Sequence, residues 1–181
     1  YEHIIFDGFE HQSVARFPAL ANRSIIVSSL GKSYHTTGWK IGYCLAPSNL
    51  MAEFRKVHQF IVFAVNTPIQ YAYADFLKHK AYYTGLPEFY QEKRDYFISL
   101  FASSRFSLKP SSGTYFQVMD YSRISDESGF EFASRMTKDF GVASIPVSVF
   151  YHKANKNKSL RFCFAKNNEE LEKAADKLLK L

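Results

Sequence analysis

Short runs of apolar, often β-branched residues alternate with longer amphipathic stretches along this chain, a pattern typical of an α/β protein. Before about residue 80 the predicted order is strand, loop, strand, helix, helix. The apolar run at 23–29 predicts a buried strand, and 38–46 predicts a second strand that ends at Pro47. Helical spacing of apolar positions then covers 50–60 and 68–79, the latter with a proline at its start.

The order of elements changes after a break at residues 85–87, Gly-Leu-Pro. A long amphipathic helix comes first, and strands and helices suited to a compact sheet packed by helices follow it. The pattern predicts a helix at 88–102, strands at 106–109 and 114–120, a helix at 130–140 stopped by Gly141, strands at 142–145 and 160–165, and a terminal helix at 168–181 with Asn168 as its N-cap. We therefore expect two domains, residues 1–80 and 81–181.

The chain has 23 basic and 17 acidic residues, a formal net charge of +6, so nucleic-acid binding has to be considered. The basic residues are scattered, however, and mostly interleaved with acids, as in Glu92-Lys93-Arg94-Asp95. The densest basic run, at 153–158, is short and is predicted as a solvated loop. Nucleic acid is therefore not an expected partner.

The longest apolar run, 60–65, is far too short for a membrane span, which needs about 20 residues. Neither a basic n-region nor a long apolar stretch marks the N-terminus as a signal peptide. Cys44 and Cys163 lie far apart in apolar surroundings, which predicts free, buried thiols and favours a reducing, cytoplasmic compartment. Because the chain has no initiator Met, we expect it to be part of a longer polypeptide.

The segment most informative about chemistry follows the first predicted strand. Lys32 comes directly after that strand, Ser29 lies three residues before it, and Lys40 eight residues after it. A bound phosphorylated aldehyde needs a lysine amine that reaches the aldehyde carbon from a fixed loop. Its phosphate needs hydroxyl groups, backbone N–H groups and a cation. Ser29, Lys32 and Lys40 meet that requirement.

Lys32 has three alternative interpretations. An ordinary surface lysine is the simplest of them. Gly31-Lys32-Ser33 resembles the end of a phosphate-binding P-loop, but that motif requires glycine where this chain has Ile26. Ser29 and Lys32 also match the S-x-x-K pattern of serine β-lactamases, whose S-D-N and K-T-G partner motifs are absent.

The segment resembles the signature of class I aminotransferases of fold type I, most closely the branch of methionine, kynurenine and glutamine transaminases and cysteine-conjugate β-lyases. The matching residues are Ser29, Gly31, Lys32, Tyr34, Thr37, Gly38, Trp39, Lys40, Gly42 and Tyr43. Residues 1–8, 57–68 and 160–165 resemble further segments of this family in the family's order. The resemblance covers essentially the whole chain.

This resemblance implies a fold and a cofactor. Residues 1–80 would be the C-terminal part of the large-domain sheet, and 81–181 the small α/β domain of a pyridoxal 5′-phosphate (PLP) enzyme. Lys32 would hold PLP as a Schiff base and then move protons as general acid and base. Ser29 and Lys40 would bind the phosphate, with Lys40 where many relatives have arginine. Tyr1 would hydrogen-bond the ring hydroxyl of the cofactor.

The resemblance also implies substrate contacts. Arg161 would grip the substrate α-carboxylate with two hydrogen bonds, with an ordinary strand-edge arginine as the alternative. Phe63 would line the pocket of the partner subunit, with simple core packing as the alternative. The aromatics Tyr34, Tyr115 and Phe116 have a similar status, whereas the six histidines show no metal spacing and are interpreted as structural or surface residues.

The activity implied is transfer of an amino group from a bulky apolar, aromatic or sulfur amino acid to a 2-oxo acid, by a homodimer. β-Elimination on the same scaffold, or a PLP-binding sensory domain of a transcription regulator, are the alternatives. In the family, the aspartate that pairs with the pyridine nitrogen precedes the tyrosine matched by Tyr1. We therefore expect these 181 residues to be inactive on their own.

Overall fold

The computed structural model describes residues 1–153 and 157–181, so the middle of the predicted basic loop lies outside the described residues. The chain divides into two compact units, Tyr1–Pro87 and Glu88–Leu181. Both contain helices and sheet, in agreement with the predicted α/β class.

The first unit contains a two-stranded antiparallel sheet and four helices. A short helix α1 (Pro18–Ala21) precedes strand β1 (Ile26–Ser29), which pairs with β2 (Gly42–Leu45). Helices α2 (Ser48–Ile61), α3 (Thr67–Phe76) and α4 (Ala81–Thr84) follow. The two helices predicted after the second strand are thus confirmed.

The prediction of a buried strand at 23–29 is wrong in length and in burial. Strand β1 has only four residues, and the Val27 side chain is 76% exposed, because the sheet of this unit has only two strands among the described residues. The predicted second strand also begins later. Its first residues form a turn of 3₁₀ helix (Thr37–Trp39), after which Lys40 adopts a left-handed conformation that a strand ladder does not accommodate.

In its described residues, the second unit contains a four-stranded antiparallel sheet packed by helices. After α5 (Leu86–Leu100) come β3 (Ser107–Leu108), β4 (Phe116–Asp120), α6 (Gly129–Arg135), β5 (Ile145–Pro146), β6 (Ser159–Cys163) and α7 (Asn168–Leu178). The strand order is β3-β4-β6-β5, so β4 and β6 are the inner strands.

One face of this sheet forms the core of the second unit. Met119 of β4 and Leu160 and Phe162 of β6 are buried, together with the rings of Phe97 and Phe132 from the helices. Because side chains alternate along a strand, the residues between these core positions project from the opposite face.

The ends of the helices depend on specific polar residues. The Ser128 hydroxyl and the Glu131 carboxylate form a capping box at the start of α6. The helix continues as a π-helical turn (Met136–Phe140) and stops at Gly141, as predicted, where the backbone has φ 64°. Asn167, not the predicted Asn168, caps α7, since its side chain accepts a hydrogen bond from the Glu170 amide.

Two further expectations are wrong. Residues 142–144 are not in a strand, since β5 comprises only Ile145 and Pro146. Both cysteines are free as expected, but neither is buried: Cys44 is half-buried and Cys163 exposed. Within 1–153 and 157–181, the helices are all too short or too polar to cross a bilayer.

Candidate active site

Lys32 lies in a tight turn immediately after strand β1. The Ser29 hydroxyl accepts a hydrogen bond from the Gly31 amide at 3.2 Å. Two further backbone bonds close the turn, from the Tyr34 amide to the Leu30 carbonyl and from the Thr36 amide to the Gly31 carbonyl, at 3.0 and 2.9 Å. The half-buried Lys32 side chain therefore extends from backbone that is held in place by its neighbours.

Ser29, Lys32 and Lys40 line one open cleft of about 430 Å³. The cleft is bordered by Val27, Ser28, Ser29, Gly31, Lys32, Thr36, Thr37, Lys40, Ile41 and Gly42. Two ammonium groups and several hydroxyls face it, and none of the described residues that line it is acidic. Such a set of donors suits an anion with several oxygen acceptors, such as a phosphate.

Two glycines make this arrangement possible. A Cβ atom on Gly31 would meet the Thr37 Cα at 3.2 Å and the Ser29 Oγ at 3.3 Å, so a side chain there would push the two sides of the turn apart. A Cβ on Gly42 would meet the Ser28 carbonyl oxygen at 2.5 Å, because Gly42 pairs directly with Ser29 across the ladder. Both positions require close approach of backbone.

Tyr1 lies beside the lysine of the cleft. The Lys32 Nζ atom is 5.7 Å from the centroid of the Tyr1 ring. The neighbouring Glu2 carboxylate accepts hydrogen bonds from the Ser28 hydroxyl at 3.2 Å and the Tyr43 hydroxyl at 3.3 Å. The structure thus brings four of the residues singled out in the sequence, Tyr1, Ser29, Lys32 and Lys40, to one end of strand β1.

Helix α3 packs against the loop that carries Lys32, between β1 and β2, through contacts that the sequence did not predict. The Thr36 and Tyr73 hydroxyls are hydrogen-bonded, and the Trp39 ring lies 5.4 Å from that of Tyr73. Tyr34 packs edge-on against Phe76 at 5.1 Å, and burial raises the pKa of its hydroxyl. Tyr34 therefore has a packing role in this unit, and Tyr73 is the residue that sequence reasoning missed.

Arg161 does not lie at the edge of the sheet, so the alternative of an ordinary strand-edge arginine does not apply. It lies on the inner strand β6, opposite Val118 of β4 and Ile145 of β5, on the face away from the core. Its guanidinium carbon is 4.1 Å from the centroid of the Phe116 ring and 5.1 Å from that of Phe150. Within the part of the chain that the structure describes, its buried Nε atom has no hydrogen-bond partner and the side chain forms no ion pair.

Phe63 follows the C-terminal end of α2 and is not part of the described core. Its amide donates to the His58 carbonyl at 3.2 Å, its backbone has φ 64°, and its side chain is 85% exposed. A left-handed conformation is unfavourable for a bulky residue, and glycine usually occupies such a position. Packing within its own unit therefore does not explain why Phe63 has a strained backbone and an exposed ring.

The described residues include no group of three or more His, Cys, Asp or Glu side chains that could hold a metal ion.

Comparison with known proteins gives one consistent result. Residues 1–178 match the family model described as aminotransferase class I and II. The chain is 47% identical to the methionine aminotransferase of Escherichia coli over 182 residues, covering 100% of this chain and 47% of that protein. It is 36% identical to the kynurenine–oxoglutarate transaminase of Dictyostelium discoideum, with the same coverage of each.

Comparison with solved structures gives the same family. The crystal structure of an E. coli protein identified as a methionine aminotransferase superimposes with a TM-score of 0.95 at 47% identity, over 100% of this chain and 48% of the other. N-Succinyldiaminopimelate aminotransferase from Mycobacterium tuberculosis superimposes with a TM-score of 0.92 at 32% identity, over 99% and 47%. The chain thus spans about half the length of the relatives it matches.

Proposed function

This chain belongs to the class I and II aminotransferases, and from that premise we propose that the protein containing it moves an amino group from a bulky apolar, aromatic or sulfur amino acid to a 2-oxo acid. The observation that carries the proposal is the convergence of Ser29, Lys32 and Lys40 on one cleft without a carboxylate among the described residues that line it. The named activities of the methionine and kynurenine transaminases support the choice of substrate class.

Enzymes of this family depend on PLP, and the cleft fits that cofactor. The fit rests on the donor set: the Ser29 hydroxyl and the Lys40 ammonium suit the phosphate, and Lys32 suits the aldehyde. Gly31 adds to it, because a Cβ there would crowd the Ser29 hydroxyl. We therefore propose that Ser29, Lys32 and Lys40 hold PLP, with the Tyr1 hydroxyl directed at the ring.

When bound, PLP supplies an electron-withdrawing ring that stabilises negative charge at the substrate Cα. The chain would contribute the proton transfer, since the Lys32 Nζ atom would take a proton from the substrate Cα as general base and give it back as general acid. The hydrogen bonds of the Gly31 amide and of the Thr36 hydroxyl hold the loop from which Nζ would reach that carbon. Lys40 would hold the phosphate as a point charge, without the two-bond fork of an arginine.

We propose that Arg161 binds the α-carboxylate of both substrates. A half-buried cation without an anionic partner among the described residues is costly unless a ligand supplies the anion. Its two Nη groups form a fork that matches a carboxylate. The described residues contain no competitor for that fork.

The chain divides into two compact units, Tyr1–Pro87 and Glu88–Leu181. We propose that the first unit belongs to the PLP-binding large domain and the second to the small domain, close to the expected division after residue 80. Free Cys44 and Cys163 support a reducing compartment, and we propose the cytoplasm.

We further propose that the protein is a homodimer and that Phe63 reaches the pocket of the other copy. Four large side chains in the segment from the end of α2 into α3 support an interface, since Phe60, Ile61, Phe63 and Tyr71 are each about three quarters or more exposed. The strained backbone of Phe63 indicates that its position is kept for a contact outside its own unit.

The test is reduction of the full-length protein with borohydride in the presence of PLP, followed by peptide mapping. We expect a pyridoxyl label on Lys32 and its loss in Lys32→Ala, while Lys78→Ala, which removes an exposed lysine of the same unit, keeps the label. A label on another residue would overturn the assignment.

A substrate panel then separates transamination from elimination on the same scaffold. Transamination converts the amino donor to its 2-oxo acid and aminates the acceptor, without release of ammonia. Elimination from a cysteine conjugate releases ammonia, pyruvate and the thiol. Ammonia as the main nitrogen product would favour the β-lyase alternative.

A further inference from the structure

We propose that Phe116 and Phe150 are positioning residues, whose rings set the orientation of the Arg161 guanidinium and leave its N–H groups available for the substrate α-carboxylate. This inference rests on the proposed function of Arg161. It adds that two aromatic rings, and not a hydrogen-bonded partner, determine where that cation lies.

The first ring is fixed by the sheet. Arg161 pairs with Val118, so Phe116 is its diagonal neighbour on the same face of the β4–β6 ladder. The Phe116 amide donates to the Thr114 hydroxyl at 3.1 Å, and its ring lies 4.8 Å from that of Tyr115. Phe116 therefore presents its ring to the guanidinium from an ordered inner strand.

The second ring comes from outside the sheet. Phe150 ends a turn of 3₁₀ helix (Val147–Phe150) that follows β5, and its side chain is 61% exposed. Its ring nevertheless lies within cation–π distance of Arg161. Because the Phe150 ring is largely exposed, burial contributes little to its position, and its contact with the cation accounts for that position better.

The chemistry of the contact favours a ligand-binding arginine over a structural one. A structural arginine is normally oriented by carboxylates or carbonyls, which occupy its N–H donors, as Glu127 does for Arg135 in the same unit. Aromatic rings attract the cation through their faces and use none of those donors. Arg161 can thus be held in place and still bind a carboxylate with two hydrogen bonds.

The experiment compares Phe150→Leu, Phe116→Leu and Arg161→Gln in the full-length protein, with Phe150→Trp as the conservative variant. Phe130→Leu is the matched control, since Phe130 is 70% exposed in the same unit and lies in helix α6, outside the sheet that carries Arg161. We expect Phe150→Leu to raise KM for the amino acid and for the 2-oxo acid about tenfold, with kcat within about twofold. Phe150→Trp should keep KM close to the wild-type value, and Phe130→Leu should leave KM unchanged.

Binding without turnover gives a second measurement. The dissociation constant of 3-phenylpropanoate, a carboxylate without an amino group, should rise in Phe150→Leu by the same factor as KM. The rate of the protein with 2-phenylethylamine, which has no carboxylate, should not change. Unchanged affinity in Phe150→Leu, together with weakened binding in Arg161→Gln, would overturn the positioning role and leave the proposed function intact. If Arg161→Gln has no effect, both the carboxylate role and this inference fail.

Discussion

The hydroxyl group of Thr36, in the loop that carries Lys32, is hydrogen-bonded to the hydroxyl group of Tyr73 on helix α3. Tyr73 is buried, and the Trp39 ring packs against it from the same loop. The position of the candidate catalytic lysine therefore depends on a helix that begins 35 residues further along the chain, at Thr67. Five predictions follow from this and related contacts.

Tyr73→Phe should loosen the Lys32 loop without unfolding the protein. It removes one hydroxyl from a pair and leaves the Thr36 hydroxyl unpaired, at a cost of about 1 kcal/mol in the free energy of unfolding. We expect faster loss of PLP on dilution, measured by absorbance. Tyr82→Phe removes an exposed hydroxyl in the same unit and should change neither quantity.

Gly31→Ala should impair the cleft, whereas Gly38→Ala should not. A Cβ on Gly31 would meet three atoms of its own loop within 3.3 Å, while one on Gly38 would meet nothing within 4 Å. We expect Gly31→Ala to destabilise the protein by about 1–3 kcal/mol and to weaken PLP binding, measured by titration with the cofactor. Equal PLP affinity in the two variants would contradict the close packing of the turn.

Phe63→Gly should stabilise the isolated chain while harming the assembled protein. Glycine relieves the left-handed backbone at Phe63, and we expect the free energy of unfolding in urea to rise by about 1 kcal/mol. Phe60→Gly is the control, because Phe60 is equally exposed but helical, and glycine there should destabilise by about 1 kcal/mol. In the full-length protein, Phe63→Gly should weaken dimerisation or raise KM for bulky amino acids.

The Glu127–Arg135 ion pair should make stability depend on pH in the acidic range. Hydrogen bonds from Arg135, and then from Ser125, lower the pKa of Glu127. A carboxylate whose folded pKa lies below its unfolded value stabilises the fold above the unfolded pKa of about 4.3, and that contribution disappears as the pH falls through the folded value.

We expect Glu127→Gln to lower the free energy of unfolding at pH 7 by roughly 0.5 kcal/mol, since the pair is partly exposed, and to flatten its decline between about pH 5 and 3. Glu169→Gln, which removes an exposed partner of Lys173, should have a smaller effect. Identical acid profiles for the wild type and Glu127→Gln would show that the pair contributes nothing.

The 181 residues alone should not catalyse transamination. They provide Lys32, Ser29, Lys40 and Arg161, but the resemblance places the acid that pairs with the cofactor nitrogen upstream of Tyr1, and the relatives are about twice as long. Without that carboxylate the ring accepts electrons less readily. Robust turnover by the isolated chain, in an assay that the full-length protein passes, would contradict this expectation.

Local features of this protein were readable from its sequence because neighbouring residues decide them. The helices after Pro47, the stop at Gly141 and the turn around Lys32 depend on periodicity, on glycine and on short hydrogen bonds. The motif residues Ser29, Lys32 and Lys40 lie within twelve positions of one another, so a single turn brings them to one cleft.

Only the tertiary structure decided which side chains from separate elements complete these sites. Tyr73 contacts Thr36 because of the way helix α3 packs in the first unit. Phe150 contacts Arg161 because of the way the turn after β5 packs in the second unit. The sequence also predicted buried positions for strand β1 and for both cysteines, which are partly or fully exposed. An apolar run does not determine how many other elements pack against it. Contacts between side chains of separate elements depend on how those elements pack, which no local pattern encodes.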